Sequence, residues 1–289
     1  MRILLLGKKG QLGWELARVL PPLGDLVALD YPEIDLANQD LMRELIRQAA
    51  PELIVNATAY TAVDEAEAHP ELAYAINGSG VGVLAEESRA LGAVLVHYST
   101  DYVFDGAKGQ PYIESDVPNP LNVYGKSKRA GEEAIRAVGG AYLILRTAWV
   151  YSLRGDSFVN KVLRWARQNE TLRVVDDQVS NPTWARMLAE ITAQLLARGQ
   201  ETVRERKGLY HLAGRGYASR LEWAQEILAL DAQSPEQSVK QMLPASTGDF
   251  PTPARRPLFS ALDCTRFEQS FGLMLPDWRD ALRLAMTQE

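Results

Sequence analysis

The first 150 residues alternate between short, continuous apolar runs and longer stretches whose apolar positions recur every three to four residues. The runs are "RILLLG" (2–7), "LVALD" (26–30), "LIVNAT" (53–58), "AVLVHYST" (93–100) and "AYLILRTA" (141–148). Unbroken apolar blocks of this length predict strands covered on both faces. The intervening segments near 11–20, 38–50, 70–91 and 122–139 carry the helical repeat. Strand–helix alternation at this interval predicts βαβ units, hence an α/β fold with a doubly wound parallel sheet and helices on both sides.

After residue 150 the pattern loosens. "DSFVNKVLRWARQ" and "TWARMLAEITAQLLA" predict helices, "LRVV" and "GLYHLAG" (208–214) predict strands, and a last short helix is expected after Pro276. The chain therefore reads as a Rossmann-like domain over 1–150 and a smaller substrate lobe over 151–289, with segments near 172–214 returning to the first domain.

Composition narrows the classes. With 46% hydrophobic and 24% charged residues, the chain has the make-up of an ordinary soluble globular protein. A net charge of -6 with no basic stripe argues against nucleic acid as a partner. The apolar run after Met1 is too short for a membrane span, so no membrane partner is expected. Cys264 is the only cysteine, which excludes an internal disulfide and makes a reducing cytoplasm the expected compartment. The three histidines are scattered without ligand spacing, and no metal is expected.

Two motifs carry chemistry. The first predicted strand runs into "GKKGQLG", with Gly7, Gly10 and Gly13 ahead of a helix. Glycines here let the backbone approach a pyrophosphate, and the helix start offers free N–H groups to the anion. Asp30 closes the second strand, where a carboxylate accepts from adenosine ribose hydroxyls and favours NADH. Lys8 and Lys9 in the neighbouring loop offset this toward NADPH. Asp35 either caps the next helix or reaches the adenine.

The second motif joins Thr100, at the end of the fourth strand, to "YGKSK", where Tyr124 and Lys128 share a helix face at i and i+4. The carboxyl edge of a doubly wound sheet is where ligands bind. A hydroxyl, a phenol and an ammonium there form a proton-transfer set, in which Lys128 is expected to lower the phenol pKa.

These motifs resemble those of the extended short-chain dehydrogenase/reductase superfamily. More closely, "GKKGQLGWEL", "VNATAYTAVDEAE", "HYSTDYVFDG", "PLNVYGKSKRAGE", "LRTAWVY", "DDQVSNPT", "GLYHLAG" and "RRPLFSALD" resemble the dTDP-4-dehydrorhamnose reductase family almost end to end. The resemblance implies NADPH- or NADH-dependent reduction of the C4 keto group of dTDP-4-dehydro-β-L-rhamnose to dTDP-β-L-rhamnose. It assigns Gly10, Gln11 and Leu12 to the cofactor pyrophosphate, Asp30 to the ribose, and Asp35 with Leu36 to the adenine side. It places Ala59, Tyr60 and Thr61 along the cofactor, Thr100 and Asp101 at the sugar, and Trp149 beside it. It makes Tyr124 and Lys128 catalytic and gives Arg256 to the nucleotide pyrophosphate. A homodimer is the candidate assembly.

Two departures from the family pattern stand out. Ser180 and Asn181 replace the usual glycine before the Pro-Thr pair. Some relatives hold Mg²⁺ between subunits through carboxylates; Glu15 fits such a role, but Arg186 stands where a second acidic ligand is expected. Competing readings are a nucleotide-sugar epimerase or 4,6-dehydratase and a non-catalytic NADP-binding regulatory subunit. A dehydratase typically carries Asp-Glu after the threonine, whereas here Asp101 is followed by Tyr102.

Overall fold

The computed structural model describes residues 1–287. Along the chain come β1 (Arg2–Leu6), α1 (Gln11–Val19), β2 (Asp25–Leu29), α2 (Gln39–Ala49) and β3 (Leu53–Asn56). Two short helices follow, α3 (Val63–Ala68) and α4 (Pro70–Tyr74), then α5 (Gly80–Leu91), β4 (Val94–Thr100), α6 (Val123–Val138) and β5 (Ala141–Thr147). The second half holds β6 (Val150–Tyr151), α7 (Phe158–Gln168), β7 (Thr171–Val175), β8 (Val179–Ser180), β9 (Thr183–Trp184) and α8 (Ala185–Leu196). It continues with α9 (Gln200–Glu205), β10 (Gly208–His211), β11 (Ala218–Ser219), α10 (Arg220–Ala229), β12 (Gln241–Ala245), α11 (Thr265–Phe271) and α12 (Trp278–Met286).

The main sheet has six parallel strands in the order β10-β5-β4-β3-β1-β2. Crossing from β1 outward in both directions is the doubly wound arrangement that the alternation predicts. The four inner strands are buried nearly throughout, as their unbroken apolar runs require. Strand β2 departs from that expectation: it is the sheet edge, and Val27 is 46% exposed. The segment near 70–91 is not one helix. It is divided into α4, a π-helical turn at Ala75–Ser79, and α5. That turn places Asn77 inward, where its amide takes the Tyr60 N–H and donates to Ser127 Oγ on α6.

Residues of the second half complete both layers. β10 forms the sixth strand, and Leu188, Ile191 and Leu195 of α8 pack into the apolar cluster that holds Leu12 and Leu16 of α1. A separate cluster, built from α7, α10 and α12 around Trp223 and Trp278, forms the body of the second half. Among the described residues no helix is long and apolar enough to cross a membrane.

Candidate active site

A cleft of about 680 Å³ runs along the carboxyl ends of the main-sheet strands. At one end is the loop from β1 to α1. Gly7 has φ +93°, and a Cβ there would lie 2.9 Å from the Ala57 carbonyl group. A Cβ on Gly13 would meet Gly7 O at 1.8 Å, so α1 sits against the strand only because that residue has no side chain. Gly10 is the N-cap of α1 and offers no side-chain acceptor to the helix. The first N–H groups of α1 are therefore free to meet an anion, which is the cradle a dinucleotide pyrophosphate needs. Gln11 lines the cleft, but its amide oxygen accepts from Ser152 N at 2.7 Å, so its side chain ties α1 to the second half.

Asp30 opens onto the same cleft with its carboxylate already accepting from Lys9 N (2.7 Å) and Tyr31 N (2.8 Å). Lys8 is paired with Glu33 at 2.6 Å, and Lys9 Nζ donates to Tyr31 O at 2.7 Å. Asp35, Leu36, Ala59 and Thr61 line the wall. Gly13 and Tyr60 stand behind it: Gly13 packs on Gly7, and the Tyr60 backbone is pinned by Asn77.

At the other end Thr100, Asp101, Tyr124, Lys128 and Trp149 face the cleft together. Their alignment has a local cause. Asn122 caps α6 by accepting from Gly125 N (2.8 Å), which fixes where Tyr124 begins the helix. One turn past Lys128, Glu132 is buried and accepts two hydrogen bonds from Arg146 of β5 (2.8 and 2.6 Å) and one from Ser99 of β4 (2.5 Å). This forked pair clamps α6 to the two central strands.

The electrostatics differ from the sequence expectation at one point. Lys128 does not pull the phenol down: desolvation holds the Tyr124 hydroxyl above its ordinary pKa, and a hydrogen bond with Thr100 only partly offsets this. Lys128 itself is lowered from 10.5 to about 8 by desolvation, with Glu132 acting against it. Its amine donates to Tyr98 O at 2.6 Å and lies 3.3 Å from His97 Nε2. Burial also raises Asp101 to about 6, although Ser260 (2.6 Å), Ser180 (3.1 Å) and Thr100 (3.1 Å) all donate to its carboxylate. Ser180, one of the two departures in the loop before Pro182, thus serves Asp101. Asn181 holds the same loop by donating to Gly214 O and accepting from Leu262 N.

Arg256 does not reach the cleft wall and forms a forked pair with Asp64, at 2.6 and 3.1 Å. Beside it the structure places a cation that the sequence reading missed. Arg220, half-buried at the first position of α10, lays its guanidinium 3.6 Å from the Trp149 ring centroid. Desolvation lowers it from 12.5 to about 10, and among the described residues no carboxylate lies within 4.0 Å of it. The capping box Ser219–Glu222 marks the helix start in the sequence, and a cation in a first turn opposes the helix dipole. That mismatch was the available signal.

A parallel doubly wound sheet with a glycine-lined turn after β1, and with Thr100, Tyr124 and Lys128 lining one cleft at the end of β4 and the start of α6, is the scaffold of an NAD(P)H-dependent oxidoreductase. Comparison with known proteins narrows it. The family model described as RmlD substrate binding domain matches residues 1–289, and the chain belongs to that family. The chain is 43% identical to dTDP-4-dehydrorhamnose reductase of Burkholderia thailandensis, over 99% of this chain and 98% of that protein. A dTDP-4-dehydrorhamnose reductase structure from Clostridium acetobutylicum superposes with a TM-score of 0.92 at 33% identity, covering 99% of each chain. One from Bacillus anthracis, in complex with NADP, gives 0.91 at 32% identity, covering 100% of this chain and 99% of that one.

Proposed function

We propose that this protein is an NAD(P)H-dependent oxidoreductase that reduces the C4 keto group of dTDP-4-dehydro-β-L-rhamnose to dTDP-β-L-rhamnose. The single observation that carries the reading is the convergence of Thr100, Tyr124 and Lys128 at the end of the cleft that begins in the Gly7–Gly10 cradle. The residues fit the dinucleotide: the cradle would take its pyrophosphate, Asp30 its ribose hydroxyls, and Asp35 with Leu36 its adenine side. When bound, the reduced nicotinamide supplies hydride. The chain supplies the rest. Tyr124 gives its proton to the C4 oxygen as hydride reaches the carbon, and Thr100, whose hydroxyl donates to Asp101 in this structure, would turn that donor to the same oxygen. Lys128, as ammonium, would hold the nicotinamide ribose and so set the cofactor beside Tyr124. Because burial disfavours the phenolate of Tyr124, the uncharged phenol is the resting form, which suits a proton donor.

Asp101 and Trp149 hold the sugar. Arg220 takes the substrate diphosphate: it is a desolvated cation at the positive end of α10, beside Trp149, and a diphosphate is the counter-ion it lacks. The test combines enzymatically made dTDP-4-dehydro-rhamnose with the protein and follows NADH and NADPH oxidation separately. Tyr124→Phe should bind cofactor normally yet lose about 10²–10⁴-fold in turnover. Near-normal kcat in that variant would remove the phenol from the mechanism, and retained NAD⁺ with no net oxidation would favour an epimerase.

A further inference from the structure

Behind the catalytic face lies a hydrogen-bonded row that this mechanism leaves unused: Thr58, Asn56, His97 and Lys128. Asn56 and His97 are fully buried, and both are uncharged partners in that row. The direction of the hydrogen bonds is set at one end by a group that can only donate. The backbone N–H of Thr58 points at Asn56 Oδ1 at 3.0 Å, and the Thr58 hydroxyl reaches the same oxygen at 2.5 Å. The amide is thereby fixed with Nδ2 toward the imidazole, 3.0 Å from His97 Nδ1. An amide nitrogen donates, so Nδ1 must accept and carries no proton. Desolvation holds the ring neutral, well below its ordinary pKa, and a neutral ring has one proton left to place. It lies on Nε2, the atom 3.3 Å from Lys128 Nζ.

We propose that His97 is a positioning residue for Lys128: fixed by Asn56 as its Nε2–H tautomer, it turns a donor toward the amine and disfavours the ammonium. An ammonium has no lone pair to accept that N–H, whereas the free amine accepts it while still donating to Tyr98 O at 2.6 Å. The other groups around Lys128 can be enumerated. Tyr124 precedes it by one turn on α6 and is uncharged. Glu132 follows by one turn and favours the ammonium, but it is neutralised by Arg146 of β5 and bonded by Ser99 of β4. Tyr98 of β4 presents only its carbonyl, and Asn56 of β3 is uncharged. Among the described residues no carboxylate lies within 4.0 Å of Nζ to restore the charge. Desolvation brings the discharge of Lys128 down from 10.5 to about 8, and the imidazole donor acts in the same direction. Resting on the proposed role of that ammonium, the alkaline limb of kcat/KM belongs to Lys128, at a pH tuned by the imidazole.

The experiment reads the tautomer and the limb separately. In ¹⁵N-histidine-labelled protein, NMR should show His97 protonated at Nε2 and bare at Nδ1. His211 is an internal reference of opposite sense, because its Nδ1 faces the Tyr112 carbonyl at 3.0 Å and must donate. His97→Gln, which can offer an oxygen to the ammonium, should move the alkaline limb up by about one pH unit. Asn56→Asp is the second perturbation: a carboxylate draws the ring proton to Nδ1, leaves Nε2 as an acceptor, and should move the limb the same way. A proton on Nδ1 in the wild type overturns the proposal without any variant. So does an alkaline limb that stays put in whichever variant folds. If Tyr124→Phe keeps full turnover while the Nε2–H signal is present, the catalytic reading fails and the tautomer assignment stands.

Discussion

Replacing Arg220 by methionine separates a binding cation from a structural one. Methionine follows the apolar stem of arginine and fills irregular gaps, so the aromatic surroundings of Trp149, Phe158 and Trp223 remain packed. Besides the hydrogen bond with Tyr102, two terms change in the protein itself. The stack on Trp149 at 3.6 Å is lost, worth about 1–2 kcal/mol for a desolvated cation. The cost of holding that cation away from water, visible in its fall to about 10, is lost as well. The terms oppose each other, and the net change in stability is expected to stay within about 1 kcal/mol, a shift of a few degrees in Tm at most. Substrate binding has no such offset. A charge-assisted hydrogen bond contributes about 1.5–3 kcal/mol, which at 1.4 kcal/mol per decade predicts a KM for the nucleotide sugar raised roughly 10- to 100-fold. The diphosphate is remote from C4, so kcat should change by less than about threefold, and the KM for NADPH should not change. Steady-state kinetics with each substrate varied in turn measure all three. An unchanged sugar KM would make Arg220 a packing residue, and a loss confined to kcat would mean that it acts through Asp101 instead.

Lys128→Met should lower kcat and raise the cofactor KM together, unlike Tyr124→Phe; a variant that changes only in Tm would reduce Lys128 to a core residue. Asp30→Ala should shift the NADPH-to-NADH ratio of kcat/KM toward NADPH from a wild-type ratio within about tenfold, because it removes both the ribose acceptor and the charge that repels a 2′-phosphate. An unmoved ratio would take Asp30 off the ribose. Asp101 titrates at about 6 when folded and near 3.8 when unfolded, so the folded state binds the extra proton between those values and loses stability as pH rises through them. Asp101→Asn should accordingly raise Tm above pH 6, with a gain that vanishes below about pH 4; a gain independent of pH would point to packing rather than charge.

The main sheet was legible because its strands are continuous apolar runs, and burial on both faces is what writes such runs. β2 was legible as a strand but not as an edge, since exposure of Val27 depends on which strand fails to follow it in space. The break at Ala75–Ser79 carried one mark, the Asn77-Gly78 pair, but the apolar repeat continues on either side and the pair was outweighed. At the site, Thr100, Tyr124 and Lys128 could be read because spacing along one helix and one strand end sets their geometry. Arg220 and the serines on Asp101 could not, because they arrive from segments 79 to 159 residues away in sequence. The depressed proton affinity of Lys128 was also out of reach, since it follows from burial among elements that meet only in the folded chain.

The position of β10 also bears on how the chain is made. Its pairing with β5 joins Gly208–His211 to Leu143–Arg146, so the partner strand is translated about 60 residues later. At roughly 5–20 residues per second that interval lasts roughly 3–12 s. Throughout it, Leu143, Ile144 and Leu145, fully enclosed in the finished protein, sit on a row of unpaired backbone groups. Every nascent chain therefore passes through a period in which this apolar edge is open to a second nascent chain from the same message, and spacing between ribosomes becomes a determinant of yield.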